Sequence, residues 1–450
     1  MIRGLLFPEE GLTAGDRRRI IRGTLNSFLI QGFSVLLVFV SNWWIIHSSD
    51  ADSYGRYVHV FNWVSILGVI VLGGRDDLVL AQLPKFIRAG WHRRLAGLVK
   101  SVNGWILFAA LVVCVAFLTL ITVFPLRSLS ENEVLFRYGL CAVYFSACLG
   151  LNQMILQAMN HVRLSQVVEK LARPLLLIVF TALFHAAGIG FDPVHLVVLG
   201  TLVSGVCCGI VLLLAFGKTG RYRDRAAEEP PQEPLTRSTF YFFVISLMNL
   251  LATKITMLLL PLFTPVQDIG IFNICYRLAD LLIFPFFLMH TVLPQLFARH
   301  SPEEKDYTRS LFRESNRLMV LLALPLLLVN LLAGRFVLGL FGPAFGKGYT
   351  ALVYISLAQL LFCLFGPANT ILMTQGRERY SAGCLIAYVA LLALTSRLLI
   401  PVSGITGGAL AILVSSAGYN LLLAVVVYRS YGVSSLLIGW LTPLIPRKRR

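Results

Sequence analysis

Twelve apolar runs alternate with short polar connections along the 450 residues of this chain. A helix needs roughly 20 mostly apolar residues to cross the hydrocarbon core of a bilayer, and each run is near that length or longer. They fall at 24–46, 57–83, 102–124, 135–159, 164–187, 194–216, 239–262, 270–297, 317–337, 350–375, 382–400 and 407–428. Two of them, 57–83 and 270–297, are long and broken by polar residues. The second carries Asn273, Arg277 and Asp280 at i, i+4 and i+7, one face of a helix. An ionisable side chain inside a span costs roughly 2.5–3.5 kcal/mol and calls for a partner or a water-filled space. That face is therefore predicted to line a polar passage. Pro285 and Pro294 are predicted to kink its helix, because each removes a backbone donor.

The connections set the orientation. With both termini on the cytoplasmic side, alternate connections collect 30 of the 39 Lys and Arg residues, and the opposite side keeps Arg56, Arg127, Arg137, Arg335 and Lys347. Positive loops stay inside, so the alternation predicts an all-α, multi-pass membrane protein with twelve transmembrane helices. Composition agrees: 57% hydrophobic, 14% charged, mean hydropathy +0.77. The net charge of +17 belongs to these loops and gives no reason to expect a nucleic-acid partner. The outer connections 47–56, 125–134, 188–193, 263–269, 338–349 and 401–406 are short, so no extramembrane domain is expected. Residues 1–19 are polar and arginine-rich, and no cleavable signal peptide is evident.

The charged, proline-rich segment 217–238 reads as a flexible cytoplasmic linker at the midpoint of the chain. Around it the sequence repeats weakly. Residues 53–57 and 268–272 open spans 2 and 8 at an offset of 215; residues 155–165 and 371–381 close spans 4 and 10 at an offset of 216. Six spans per half is an even number, so both halves insert the same way up. The expected organisation is 1–216 with spans 1–6, 217–238 as linker, 239–432 with spans 7–12, and 433–450 as a basic amphipathic tail. That tail, like 84–100, is expected along the cytoplasmic lipid surface.

Polar stripes separate passage helices from scaffold. Span 1 has Ser27, Gln31, Ser34 and Ser41. Span 2 has His59, Asn62 and then Gly73, Gly74, Arg75, Asp76 and Asp77. Span 7 has Ser246, Asn249, Thr253 and Thr256 beside Lys254. Span 10 has Gln359, Cys363, Gly366 and Thr370 next to Asn369. Small and hydroxylated residues also hold transmembrane helices together without any substrate, which is the plainer reading of the Ser and Thr positions. Arg75, Lys254 and Arg277 are different, because a membrane cation needs a specific partner. Asp76, Asp77 or Asp280 could neutralise them, and Arg277 and Asp280 at i, i+3 can reach each other. The segment 342–348 departs from a phosphate-loop spacing. The eight cysteines form no CxxC, and no metal or cofactor site is expected.

Tyr54-Gly55-Arg56-Tyr57, Gly74 with Asp76 and Asp77 before Leu83-Pro84, Gly270-Ile271-Phe272 through Tyr276-Arg277-Leu278 to Leu293-Pro294, Leu340-Phe341-Gly342 with Tyr349, Asn369 through Gln375-Gly376-Arg377, and Gly404 through Ala409 follow one another in a familiar order. In these the chain resembles the polysaccharide transporter family, the Wzx-like lipid-linked oligosaccharide flippases of the multidrug/oligosaccharidyl-lipid/polysaccharide superfamily. The resemblance implies two six-helix lobes related by pseudo-two-fold symmetry around a central cavity in a bacterial cytoplasmic membrane. It implies ion-coupled alternating access that moves an undecaprenyl-diphosphate-linked oligosaccharide for O-antigen, capsule or exopolysaccharide synthesis, with a polymerase and chain-length proteins as partners. Arg277, Lys254 and Arg75 would then meet the diphosphate, since guanidinium and ammonium suit phosphate. Gln31, Asn249, Asn273, Gln359 and Asn369 would meet sugars, and Asp280, Asp76 and Asp77 are the coupling candidates. The alternative is a MATE-type multidrug/cation antiporter, although span 1 carries no Asp or Glu. Short outer loops disfavour a membrane enzyme.

Overall fold

The computed structural model describes residues 14–123, 131–220, 236–286, 305–366, 368–369, 372 and 378–431. Among these the chain is helical, with no strand. The α-helices are α1 (Ala14–Ser48), α2 (Ala51–Leu72), α3 (Arg75–Ala89), α4 (His92–Val123), α5 (Glu133–Gly139), α6 (Cys141–Ala158), α7 (Val162–Val167), α8 (Arg173–Ala186), α9 (Pro193–Gly220), α10 (Thr236–Leu259), α11 (Gln267–Ala279), α12 (Lys305–Gly339), α13 (Tyr349–Phe365) and α14 (Glu378–Tyr431). The predicted kink at Pro294, the 433–450 tail and most of the linker lie outside the described residues.

Ten helices among the described residues are long and apolar enough to cross a membrane. The last of them, Arg379–Arg429, has 51 residues, about 76 Å of helix and more than twice a hydrocarbon core. It is two crossings. Gly404 is non-helical at φ 57°, ψ −130°, and a Cβ on Gly407 would overlap the Leu399 carbonyl. Thr395 Oγ1 meets Ser415 Oγ at 2.9 Å, so the two arms run antiparallel. The expected outer connection 401–406 is thus a bend rather than a loop. A further crossing, 162–186, runs about 37 Å through α7, a π-turn at Val168–Ala172, and α8. With these the described crossings number twelve, as the loop charges required.

Span 2 departs from expectation. Asp50 caps α2 by accepting the Ser53 N–H at 3.2 Å, so the helix starts at Ala51 rather than 57. It ends at Leu72, because Gly73 (φ 55°) and Gly74 (φ 75°) take left-handed conformations that side chains resist. α3 is a separate 15-residue helix beyond that break. Twenty-two residues of α2 already span about 33 Å, so Arg75 and both aspartates sit at the end of the crossing, not within it.

Contacts divide the chain into two compact units, Ser27–Lys254 and Ile255–Arg450, the latter taking in residues 1–26; α10 passes from one into the other. In the first, Val60, Val64, Leu83, Leu95, Ile106, Phe136 and Leu151 form one buried core. In the second, Ile271, Phe272, Phe345, Leu352 and Ile355 are among the most buried side chains. Element starts recur between units: Ala51 and Gln267, and Glu133 and Tyr349, are each 216 positions apart. So are the left-handed Gly188 and Gly404 at the last hairpin of each.

Candidate functional site

The polar residues of the first unit lie at three depths, measured by helix rise from the α1–α2 turn. About 16 Å down, mid-bilayer for a core of roughly 30 Å, Lys254 Nζ on α10 donates to Asn62 Oδ1 on α2 at 2.9 Å. About 25 Å down, Lys170 Nζ donates to Gln31 Oε1 on α1. About 33 Å down, at the α2–α3 break, the Arg75 guanidinium lies 3.7 Å from the ring centroid of Trp105. The indole N–H of Trp105 donates to the Val71 carbonyl at 3.3 Å and so is fixed in place. Beside it Ser246 Oγ donates to Asp77 Oδ2 at 2.8 Å. Asp76 Oδ1 is buried and has no hydrogen-bond partner among the described residues. Asn249 is exposed on α10.

In the second unit, α11 carries the face predicted to line a passage. Asn273 is buried and Arg277 is exposed about 15 Å from the start of the helix. The Arg277–Asp280 pair that the i, i+3 spacing allows is not formed among the described residues. At Asp280 the helix tightens into a 3₁₀ turn, Asp280–Ile283, ahead of Pro285, which supplies no backbone donor. The carboxylate turns to α13, where Gln359 Nε2 donates to Asp280 Oδ1 at 2.7 Å. Tyr276 stands beside Asp280, Tyr388 and Gln359. Arg277 makes no ion pair among the described residues. Asn369 is elsewhere, accepting from Ser381 Oγ.

Each unit also has a clamp at the end where α2 or α11 begins. In the first, Arg56 on α2 reaches Asp52 at 2.7 Å and Asn132, just before α5, at 2.9 Å. In the second, Asp268 on α11 pairs with Lys347, just before α13, at 2.5 Å.

The structure thus joins Lys254 with Asn62, Asp77 with Ser246, Asp280 with Gln359 and Gln31 with Lys170, and keeps Asn249 and Asn369 apart from these. Lys170, at the start of the run 164–187, is not among the candidate residues that the sequence points to. Its signal was Pro174 four residues on, which removes the donor that would bond the Lys170 carbonyl and so favours the π-turn. Among the described residues no group of three or more His, Cys, Asp or Glu could hold a metal.

No curated protein sequence matches the chain. Solved structures do. An inward-facing multidrug-resistance MATE transporter of the MOP superfamily aligns with TM-score 0.68 and 14% identity over 91% of this chain and 100% of its own. The lipid II flippase MurJ in an inward closed conformation aligns with TM-score 0.68 and 11% identity over 95% and 94%. A MOP-superfamily transporter from Pyrococcus furiosus, described as having a binding pocket of reversed polarity, aligns with TM-score 0.60 and 15% identity over 91% and 96%. At these identities the likeness establishes the fold, which is that of MOP-superfamily transporters. A family profile described as polysaccharide biosynthesis protein matches residues 20–300, more than half of the sequence. The chain belongs to the polysaccharide biosynthesis protein family.

Proposed function

We propose that the protein is a flippase that carries an undecaprenyl-diphosphate-linked oligosaccharide across the bacterial cytoplasmic membrane, with both termini in the cytoplasm. One observation carries this reading: Arg277 stands mid-span, exposed and without an ion pair among the described residues, while the neighbouring carboxylate is taken by Gln359. An arginine placed so has its donor fork available to an anion from outside the protein, and a diphosphate is the concentrated anion that such a lipid carries. Lys254 and Arg75, held by an amide and an indole face, support the same reading as further cations along the path. Asn273 and Gln359 supply amides at the same level. Asp280, and the half-satisfied Asp76 beside Asp77, are the groups proposed to couple movement to a proton or sodium gradient. Polymerase and chain-length proteins are the proposed partners downstream.

The test is complementation of a flippase-null strain. Arg277→Ala is expected to insert normally and abolish surface glycan, and Arg277→Lys to restore part of it, because a point charge replaces a fork. Full export by the alanine variant overturns the role of Arg277. Failure of the unaltered protein to export glycan while it confers resistance to cationic drugs would favour the antiporter reading instead.

A further inference from the structure

We infer that Lys170 and Gln31 form a second anion site in the first unit, a phosphate-ester site one step before the mid-bilayer Lys254–Asn62 pair; it rests on the flippase reading only for its place in the path. The sequence builds it. Pro174 brings no N–H to the Lys170 carbonyl, and the ladder responds by widening: Arg173 N–H bonds Val168 O, five residues back, rather than its usual acceptor. The bulge turns Lys170 toward α1, where its ammonium meets the Gln31 amide oxygen. Lys170 is half-buried and lies about 24 Å from the far end of α8, inside the hydrocarbon thickness.

The partner is what makes this a ligand site. A lysine inside a membrane is normally answered by a carboxylate. Here its described partner is a neutral amide, and the adjacent Glu169 is exposed and makes no ion pair with it. The ammonium has three donors and the amide oxygen takes one. A phosphate oxygen supplies both the missing acceptors and the missing charge. The Gln31 amide N–H₂ adds two donors of its own. Gln31, expected from sequence to meet sugar, therefore belongs to the phosphate site. The level of this pair is about 9 Å below that of Lys254 and Asn62 along the helix axes, a single stride for a diphosphate moving between two cation–amide pairs.

Two sources of phosphate ester reach this depth, the polyprenyl diphosphate and a bilayer phospholipid, and the experiment separates them. Purified protein in nanodiscs of neutral lipid is titrated with undecaprenyl diphosphate and, in a second arm, with phosphatidylglycerol, binding being read by native mass spectrometry. Lys170→Gln keeps a hydrogen bond to Gln31 and loses the charge. It is expected to weaken binding about tenfold, the loss of one charge-assisted contact, in whichever arm holds the true occupant. Lys170→Arg is expected to bind within a factor of about three. The decisive variant is Gln31→Glu. It gives Lys170 a countercharge and strengthens the link between α1 and the π-turn, yet it fills the anion site from within. The inference expects it to bind as weakly as Lys170→Gln, with a melting temperature unchanged or raised. A purely structural hydrogen bond expects Gln31→Glu to bind as the unaltered protein does, and that result overturns the site. If Arg277→Ala weakens binding of undecaprenyl diphosphate while both Lys170→Gln and Gln31→Glu leave it intact, the site falls and the flippase reading stands. If only phosphatidylglycerol responds to Lys170, and undecaprenyl diphosphate does not bind at all, the site stands and the flippase reading falls.

Discussion

The two units share a plan and differ in what they do with it. Helix starts and the left-handed hairpin glycine recur 216 residues apart, so the backbone of one is an echo of the other. The polar chemistry is not. The first unit meets its mid-bilayer lysine with a neutral amide, Lys254 on Asn62. The second spends its amide on an acid, Gln359 on Asp280, and leaves Arg277 exposed. The clamps differ in which residue reaches across to the neighbouring element. Arg56 is the α2 side of one, whereas Asp268 is the α11 side of the other. Repetition therefore preserves where helices begin and turn, while the polar contacts built on those helices differ.

The hairpins of the two units should separate most widely. Gly407 is packed on the Leu399 backbone, whereas a Cβ on Gly190, in the corresponding connection, meets nothing within 4 Å. Gly407→Leu is expected to leave no monodisperse protein on size-exclusion chromatography in detergent, and Gly190→Leu to elute as the unaltered protein does. A well-behaved Gly407→Leu would mean the reversal at Gly404 is not tight.

A smaller difference is expected at the amides. Gln359→Ala leaves a part-buried carboxylate oxygen without this donor and should cost about 2 kcal/mol. Asn62→Ala removes one neutral acceptor from a long, adaptable lysine and should cost about 1 kcal/mol. Thermal unfolding in detergent orders the two; equal losses would erase the contrast between an acid held by an amide and a cation held by one.

The clamps come next. Asp268 is buried and Lys347 half-exposed, so Lys347→Gln should lower stability by about 1 kcal/mol, and the exchanged pair Asp268→Lys with Lys347→Asp should recover part of it. Arg56→Gln, at a more exposed pair, should cost a few tenths.

The α2 cap is told apart by its pH dependence rather than by its size. The hydrogen bond from Ser53 holds the Asp50 carboxyl below its ordinary value. A carboxylate lowered on folding stabilises above its unfolded pKa and loses that contribution as pH falls through the native one. Asp50→Ala should therefore cost about 1 kcal/mol equally at pH 8 and pH 6, and Asp50→Asn almost nothing. A cost that disappears already at pH 6 would mean the cap is not made by the charged form.

Much of this was legible in the sequence, for definite reasons. Twelve crossings follow from apolar runs and from loop charge, which act over whole segments and tolerate errors of a few residues. What escaped was set by single backbone events. Gly73-Gly74 was visible but lay inside a run that hydropathy joins. Lys170 sits near the start of the run 164–187, and its role shows only once Pro174 is seen to reshape the turn before it. Arg277 and Asp280 are at pairing distance on an ideal helix, and only the 3₁₀ turn ahead of Pro285 sends the carboxylate to Gln359.

The reversal within α14 also bears on how the molecule can be mapped. With the two arms joined at Gly404 and almost no chain between them, that end offers a protease no extended segment to grip and an antibody no epitope. A reporter tag spliced in there would pry the arms apart, whereas one placed at Gly190 enters an open connection. Sidedness experiments therefore gain most from the first unit's hairpin, and a negative result from a tag at its counterpart says nothing about which side of the membrane it faced.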